Sequence, residues 1–510
     1  MEKTIELRNI TKTFGPVVAN KNACLTVHSG EIMALLGENG SGKTTLMNML
    51  SGLYYPDSGK IFINGKSVYI TSPKDAFDYG IGMVHQHFKL IDVFTAGENV
   101  VLGLKDHFFI NKKPVTKKIQ SLLDRYGFVL DLNKKIYDMS VSEKQTVEII
   151  KVLYRGADTL ILDEPTAVLT PQETERLFVI LRNMRNDGKT IIIITHKMQE
   201  VLSLSDEVAI LRKGEIVKVV ETKDANQEEL ADLMVGAHVA LHIDRDLPVN
   251  PTKVLSVNHL TCYNEEHVKS LDNVSFDAYS GEILGIAGVS GSGQKALLEA
   301  ISGLQKTEEG SNITFFDEKG KSEDLVGKDP KIIKHMGVSL AFVPEDRLGM
   351  GLVGDMGMVG NMLLRSYDVG KTPFIEVKKP AKLASILKEK LEVLTPSIDT
   401  PVRNLSGGNV QKVLVGRELA SQPRLLLTAY AVRGLDINTS YTIYNILNYE
   451  KKQGMAIVYV GEDLDVLLAL TDRILVLSDG KVTGIVDSRT TDKKKIGQLM
   501  ASSEENKEHD

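Results

Sequence analysis

The chain repeats itself, and the repeat restricts it to two units of similar fold. Ser29-Gly30-Glu31-Ile32 recurs as Ser280-Gly281-Glu282-Ile283. Each run is followed by an apolar strand, a Gly-rich turn and an amphipathic helix. The helix stripe Leu46, Met49, Leu50 and Leu53 recurs as Leu297, Ala300, Ile301 and Leu304. That spacing defines one face of a helix. Further on, Ser140 recurs as Ser406 and Leu169-Thr170 as Leu435-Asp436. The offset between copies is 251 at Ser29 and Ser280 but 266 at Ser140 and Ser406, so the second copy carries an insertion. The repeat places one domain at residues 3–238 and a second at 252–500. Residues 239–251 form a linker that Pro248 and Pro251 keep extended, and residues 501–510 a polar tail. Short apolar strands alternate with helices in both copies, the pattern of an α/β fold with a largely parallel sheet. A length of 510 residues is enough for two such cores.

No run of 18 apolar residues occurs, so a channel at a membrane would have to come from another chain. Met1-Glu2-Lys3-Thr4 has no apolar run behind it and does not read as a signal peptide. The net charge of -6 argues against nucleic-acid binding through a global positive field. Cys24 and Cys262 are far apart and read as packing residues of a reducing compartment.

Gly37-Glu38-Asn39-Gly40-Ser41-Gly42-Lys43-Thr44-Thr45 follows the strand at residues 32–36 and opens a helix, the context of a P-loop. Its glycines let backbone N–H groups curl around phosphate oxygens, and the helix N-terminus adds positive potential. Lys43 is expected to reach the β- and γ-phosphates of ATP, and Thr44 to ligate Mg²⁺. The strand Leu160-Ile161-Leu162 ends in Asp163-Glu164-Pro165. Two carboxylates then sit at the C-terminal edge of a strand, where ligands bind in open α/β sheets. Asp163 suits the Mg²⁺ shell, and Glu164 suits the base that polarises the attacking water. His196, at the end of another apolar strand and 32 residues after Glu164, reads as a γ-phosphate contact.

With these parts the chain resembles ABC transporter ATPases over nearly its whole length. The resemblance implies two tandem P-loop domains of α/β class. Each would combine a largely parallel core with an antiparallel β part and an inserted helical subdomain. It also implies that Gln86 contacts Mg²⁺ near the transmembrane partner, and that Phe14 stacks on adenine. Members carry a Leu-Ser-Gly-Gly-Gln signature that caps the γ-phosphate held by the opposite domain. Here the first signature is Met139-Ser140-Val141-Ser142-Glu143, without either glycine, and the second is Leu405-Ser406-Gly407-Gly408-Asn409. Close backbone approach to phosphate favours glycine, which has no Cβ.

The second copy departs from the pattern where the chemistry lies. Its loop reads Gly288-Val289-Ser290-Gly291-Ser292-Gly293-Gln294-Lys295. Gln294 replaces the lysine, and Lys295 replaces the metal-binding hydroxyl. Lys295 reads as an exposed lysine at a helix start, with a swing into the lysine's role as the alternative. Ala429, Tyr430 and Glu462 stand where the first copy has Asp163, Glu164 and His196, and Glu345 stands where the glutamine would be. In the head-to-tail pairing the resemblance implies, one composite site joins the first P-loop, Asp163, Glu164 and His196 to Ser406, Gly407, Gly408 and the Asp436 loop. Every one of those parts is present. The other site combines the degraded halves.

The resemblance narrows to sugar and nucleoside importers, through Thr-Ala-Val-Leu-Thr-Pro-Gln-Glu at residues 166–173, Val343-Pro344-Glu345-Asp346-Arg347 and Gly461-Glu462-Asp463-Leu464-Asp465. His85-Gln86-His87-Phe88 matches the nucleoside group, whereas sugar importers usually carry His-Gln-Glu there. Metal binding by His85 and His87 lacks further ligands. The partners implied are transmembrane permease subunits and, through them, an extracytoplasmic substrate-binding protein. The implied location is peripheral, at the cytoplasmic face of the plasma membrane. The alternatives are a ribose- or galactose-type importer ATPase and a soluble tandem ABC protein acting on the ribosome. Ribosome-acting proteins usually keep two competent sites and a long charged linker.

Overall fold

A computed structural model describes residues 4–501, apart from 87, 105–111, 168, 237–242, 265, 290, 343–347, 349–350, 368–375, 421 and 434. Glu345 and His87 therefore lie outside the described residues. The chain divides into two compact units, Met1–Ala240 and Leu241–Asp510.

In the first unit, β1 (Thr4–Phe14) and β2 (Val17–His28) form an antiparallel hairpin. After β3 (Ile32–Leu36) and α1 (Lys43–Leu50) come β4 (Ser58–Ile63) and β5 (Lys66–Val68). The order β2-β1-β4-β5 makes a four-stranded antiparallel sheet. Then follow α2 (Pro73–Asp78), β6 (Ile81–Val84) and the helices α3 (Ala96–Val101), α4 (Lys112–Tyr126) and α5 (Val141–Tyr154). The chain returns through β7 (Thr159–Asp163), α6 (Pro171–Asn186), β8 (Thr190–Thr195), α7 (Met198–Leu204), β9 (Glu207–Arg212), β10 (Glu215–Glu221) and α8 (Gln227–Val235). The main sheet has the order β10-β9-β3-β8-β7-β6, parallel except for β10. Strands β3, β7 and β8 are buried along their whole length, as a sheet covered on both faces requires. The helices α3 to α5, inserted between β6 and β7, pack in one apolar cluster with Val84, Leu160 and Leu162.

The second unit repeats this plan. Its antiparallel sheet contains β11 (Lys253–Tyr263), β12 (Lys269–Tyr279), β14 (Asn312–Phe316) and β15 (Ser322–Asp324). Its main sheet contains β13 (Ile283–Ala287), β16 (Val338–Phe342), β17 (Leu425–Ala429), β18 (Ala456–Val460), β19 (Arg473–Ser478) and β20 (Lys481–Asp487), in the order β16-β17-β18-β13-β19-β20. The helices Met358–Leu363, Lys378–Lys390 and Gly407–Leu419 lie between β16 and β17. The expected fold class is thus present in both halves.

Two details differ from the expectations, the reach of the helix stripes and the burial of Cys24. The stripes on α1 and on Gln294–Ile301 lose their last members: both helices end before Leu53 and Leu304, which are exposed. Gly52 and Gly303, both at φ 77°, take the left-handed conformation that ends a helix. Cys24 is exposed, because β2 alternates and buries Ala23 and Leu25 instead. Cys262 is buried, and burial pushes its thiol up to about 11.

The extended segment before β11 is fastened to the second unit. Arg245 donates to the Leu468 and Thr471 carbonyls, and Lys451 Nζ to the Asp246 carbonyl at 2.7 Å. Beneath it the Lys451–Asp472 pair, 2.8 Å apart, is only 3% and 4% exposed. The matching Arg185–Asp206 pair of the first unit is 29% and 38% exposed. Among the described residues, no helix is long and apolar enough to cross a membrane.

Candidate active site

The first unit gathers its polar residues at the C-terminal edge of β3, β7 and β8. The turn after β3 is shaped by glycines, and at two of them a Cβ would clash with backbone. Gly42 has φ 103°, and a Cβ there would lie 2.2 Å from the Ala19 carbonyl oxygen. A Cβ on Gly37 would lie 2.3 Å from the Leu211 carbonyl oxygen. Ser41 Oγ is buried in this loop without a hydrogen-bond partner. Asn39 and Gly40 complete the turn, with Gly40 at φ 79°. Lys43, the first residue of α1, is 6% exposed and folds back over the loop. Its ammonium donates to the Gly37 and Glu38 carbonyls at 2.7 and 2.8 Å. Burial lowers its pKa, against the opposing charges of Glu164, Asp163 and Glu38.

Thr44 Oγ1 donates to Asp163 Oδ1 at 3.4 Å, so the two expected metal ligands are neighbours. Thr45 follows on the helix, half-buried. Glu164 has φ 47°, a left-handed conformation that costs a non-glycine residue about 1–3 kcal/mol. Its N–H donates to the Ile194 carbonyl at 2.9 Å, tying the turn to β8. The Glu164 carboxylate meets His196 Nδ1 at 2.9 Å and accepts from Gln86 Nε2 at 3.1 Å. A carboxylate only accepts, so Nδ1 carries the proton in this pair. Burial pushes the Glu164 pKa up. The His196 hydrogen bond, with the charges of His196, Lys43 and Lys197, outweighs it and holds the carboxyl below its ordinary value. Residues brought together from positions 43, 44, 86, 163, 164 and 196 thus set a glycine-rich loop beside a hydroxyl and carboxylate pair fit for a divalent cation and a carboxylate held below its ordinary pKa. The orphaned Ser41 hydroxyl and the Cβ-free loop fit a polyphosphate.

The second unit keeps the frame but carries different side chains at the matching positions. Gly293 has φ 101°, and a Cβ there would lie 2.5 Å from the Ser270 carbonyl oxygen. Its glycine is thus required by packing, whatever the loop binds. Gln294, 4% exposed, donates to the Val289 carbonyl at 3.0 Å, as Lys43 does to Glu38. A neutral amide therefore holds the loop closed where the first unit has a cation. Lys295 is 59% exposed and pairs with Glu299 at 3.6 Å, which agrees with an exposed helix-start lysine. Tyr430 inherits the strained backbone, with φ 55° and its N–H donating to the Val460 carbonyl at 2.9 Å. Ala429 ends β17 where Asp163 ends β7, and Glu462 pairs with Arg433 at 3.5 Å. Arg433 in turn lies 5.8 Å from the Tyr430 ring centre.

The two signatures differ in more than their glycines. Ser406 caps the helix Gly407–Leu419, and Asn409 Nδ2 donates to its Oγ at 2.8 Å. A Cβ on Gly408 would lie 3.4 Å from Asp436 Oδ2, so Gly408 sits against the cap of the helix Ile437–Lys452. Neither Gly407 nor Gly408 has a positive φ, so bareness, and not backbone freedom, is what they offer. In the first unit Ser140 and Glu143 form a capping box on α5. The Glu143 carboxylate accepts from Ser140 N at 2.7 Å and from Lys134 at 2.8 Å. That negative charge, where the second signature has neutral Asn409, was missed by counting glycines. The Ser-x-x-Glu spacing of a capping box is its visible sign.

Residues 20–167 and 271–428 each match the ABC transporter family. The chain is 41% identical to the guanosine import ATP-binding protein NupO of Bacillus subtilis, covering 99% of this chain and 98% of that one. It is 40% identical to the nucleoside import ATP-binding protein NupA of Lactococcus lactis, covering 98% of each. It is 38% identical to the glucose import ATP-binding protein TsgD13 of Haloferax volcanii, covering 98% of this chain and 96% of that one. The chain belongs to the ABC transporter family, as a protein with two ATP-binding domains.

Proposed function

We propose that this chain is the ATP-hydrolysing subunit of a nucleoside importer, with one competent ATP site and one that does not hydrolyse. The observation that carries the hydrolytic reading is the Gln86–Glu164–His196 cluster beside Lys43, Thr44 and Asp163. Lys43 and the loop amides would hold the phosphates, and Thr44, Asp163 and Gln86 would hold Mg²⁺, which when bound would supply positive charge to offset that of the phosphates. Glu164 orients a water for in-line attack, and Lys43, His196 and the amides meet the charge that develops on the γ-phosphate. Ser406, Gly407 and Gly408 seal that phosphate when the two copies close, and hydrolysis reopens them. Of the matching residues, Gln294 and Ala429 carry no charge, Tyr430 has no carboxylate where Glu164 stands, and Lys295 and Glu462 are drawn into ion pairs with Glu299 and Arg433.

The nucleoside reading rests on His85-Gln86-His87-Phe88 and on the relatives named for guanosine and nucleoside import. The relative named for glucose import favours a sugar as the second reading. The partners are membrane permease subunits at the cytoplasmic face, fed by a substrate-binding protein outside. Labelled nucleosides, ribose and galactose are offered to cells expressing the chain with its neighbouring permease and binding-protein genes. Nucleoside uptake is expected with the wild type and is lost with Glu164→Gln. Loss of sugar uptake instead would overturn the substrate class, and uptake that ignores Glu164 would overturn the transport role.

A further inference from the structure

The hairpin of β1 and β2 carries Phe14 at its turn, and two side-chain ties hold that hairpin to the phosphate loop and to the segment after α1. At the loop, Asn20, fully buried on β2, donates from Nδ2 to the Gly42 carbonyl at 3.2 Å. After α1, the Asp57 carboxylate accepts from Lys12 Nζ at 2.8 Å, Thr13 N at 2.7 Å and Thr13 Oγ1 at 2.8 Å. Asp57 N donates to the Thr11 carbonyl at 2.8 Å. These bonds lower the Asp57 carboxyl to about 2, Lys12 first among them, so the clamp stays ionised at any physiological pH.

Lys12 of the clamp and Tyr54 both border Phe14. Lys12 Nζ lies 5.6 Å from the ring centre, and Tyr54 meets the ring edge-on with centroids 5.3 Å apart. Tyr54 belongs to the segment just after α1, where its N–H donates to the Asn48 carbonyl at 3.1 Å. Both residues remain exposed, at 43% for Phe14 and 41% for Tyr54. Exposed aromatic faces held by an ion pair are costly to order and suit a flat π-ligand.

The second unit tests whether this set is merely what a hairpin needs. Lys12 pairs with Asn20 across the first hairpin, and Cys262 with Leu271 across the second. By that register Cys262, Tyr263 and Asn264 stand at Lys12, Thr13 and Phe14, and Leu271 at Asn20. The backbone closure survives, with Glu308 N donating to the Thr261 carbonyl at 2.9 Å. Gln305, in the place of Tyr54, donates to the Tyr263 carbonyl at 2.7 Å. Among the described residues, the second hairpin thus forms without a counterpart of the Phe14–Tyr54 pair or of the Lys12–Asp57 bond, in the copy that also has Gln294 and Tyr430 in place of Lys43 and Glu164.

We propose that Asp57 is a positioning residue: with Lys12 and Thr13 it fixes the Phe14–Tyr54 pair as a shelf for the nucleobase of ATP. This rests on reading the first unit as the ATP site.

The test compares MgATP with magnesium tripolyphosphate, which lacks base and ribose, by calorimetry on the full chain. Asp57→Ala is expected to weaken ATP about tenfold and tripolyphosphate less than about twofold. Asp57→Ala combined with Phe14→Ala is expected to bind ATP no worse than Phe14→Ala alone, since Asp57 acts through the ring. Equal weakening of both ligands, or additive losses in the double variant, would overturn the proposal. If Asp57→Ala fails to fold, Lys12→Met carries the same comparison and the same outcomes. A wild-type chain that binds neither ligand would instead overturn the ATP-site reading itself.

Discussion

Glu164→Gln is expected to abolish ATP turnover while ATP still binds. The substitution keeps the shape of the side chain and removes the charge that polarises water. The loss expected for a general base is at least about 10²- to 10⁴-fold in kcat. The backbone strain at Glu164, φ 47°, supports this reading, because a strained turn holds the carboxylate beside His196 and Gln86. Tyr430 has the same turn at φ 55° without a carboxylate, so no second base takes over. ATP binding by calorimetry and phosphate release by a coupled assay check both halves. Turnover within about tenfold of the wild type would sink the assignment of the base.

Gly408→Asp is expected to stop hydrolysis by about 100-fold or more, although it lies in the unit without a base. A Cβ fits there in ordinary contact, 3.4 Å from Asp436 Oδ2, so the backbone is not strained. The new carboxylate would face both Asp436 and, in the proposed pairing, the γ-phosphate held by the first unit. Ser142→Asp is the matching change in the first unit. It adds charge beside Glu143, in a signature already closed by its capping box, and should change turnover less than about twofold. Equal damage from both substitutions would mean that both signatures serve a working site.

The duplication, the largely parallel sheet and the phosphate loop were legible because each rests on local pattern, whereas the antiparallel sheet came with the family resemblance. Strand β7 ending at Asp163 and β8 ending at Thr195 followed from apolar runs and their polar ends. The loss of chemistry in the second unit was legible from Gln294, Ala429 and Tyr430 alone. The retained glycines of that loop said less than they seemed to, because Gly293 is required by the Ser270 carbonyl oxygen 2.5 Å from where its Cβ would be. Tertiary ties were not legible. Asp57 meets Lys12 and Thr13 across more than 40 residues, and no spacing rule links them. The apolar stripe on α1 ran one turn too far, because Gly52 ends the helix and sequence periodicity does not register that. Cys24 was misread as packing because which face of β2 is buried depends on pairing register, which the strand alone leaves open.

The central claim is that only one site in this chain hydrolyses ATP. It is tested most directly by counting the ADP trapped with vanadate after turnover, per chain of the assembled transporter. One ADP per chain, lost with Glu164→Gln, is the result predicted. Two per chain, or one that survives Glu164→Gln, would contradict it.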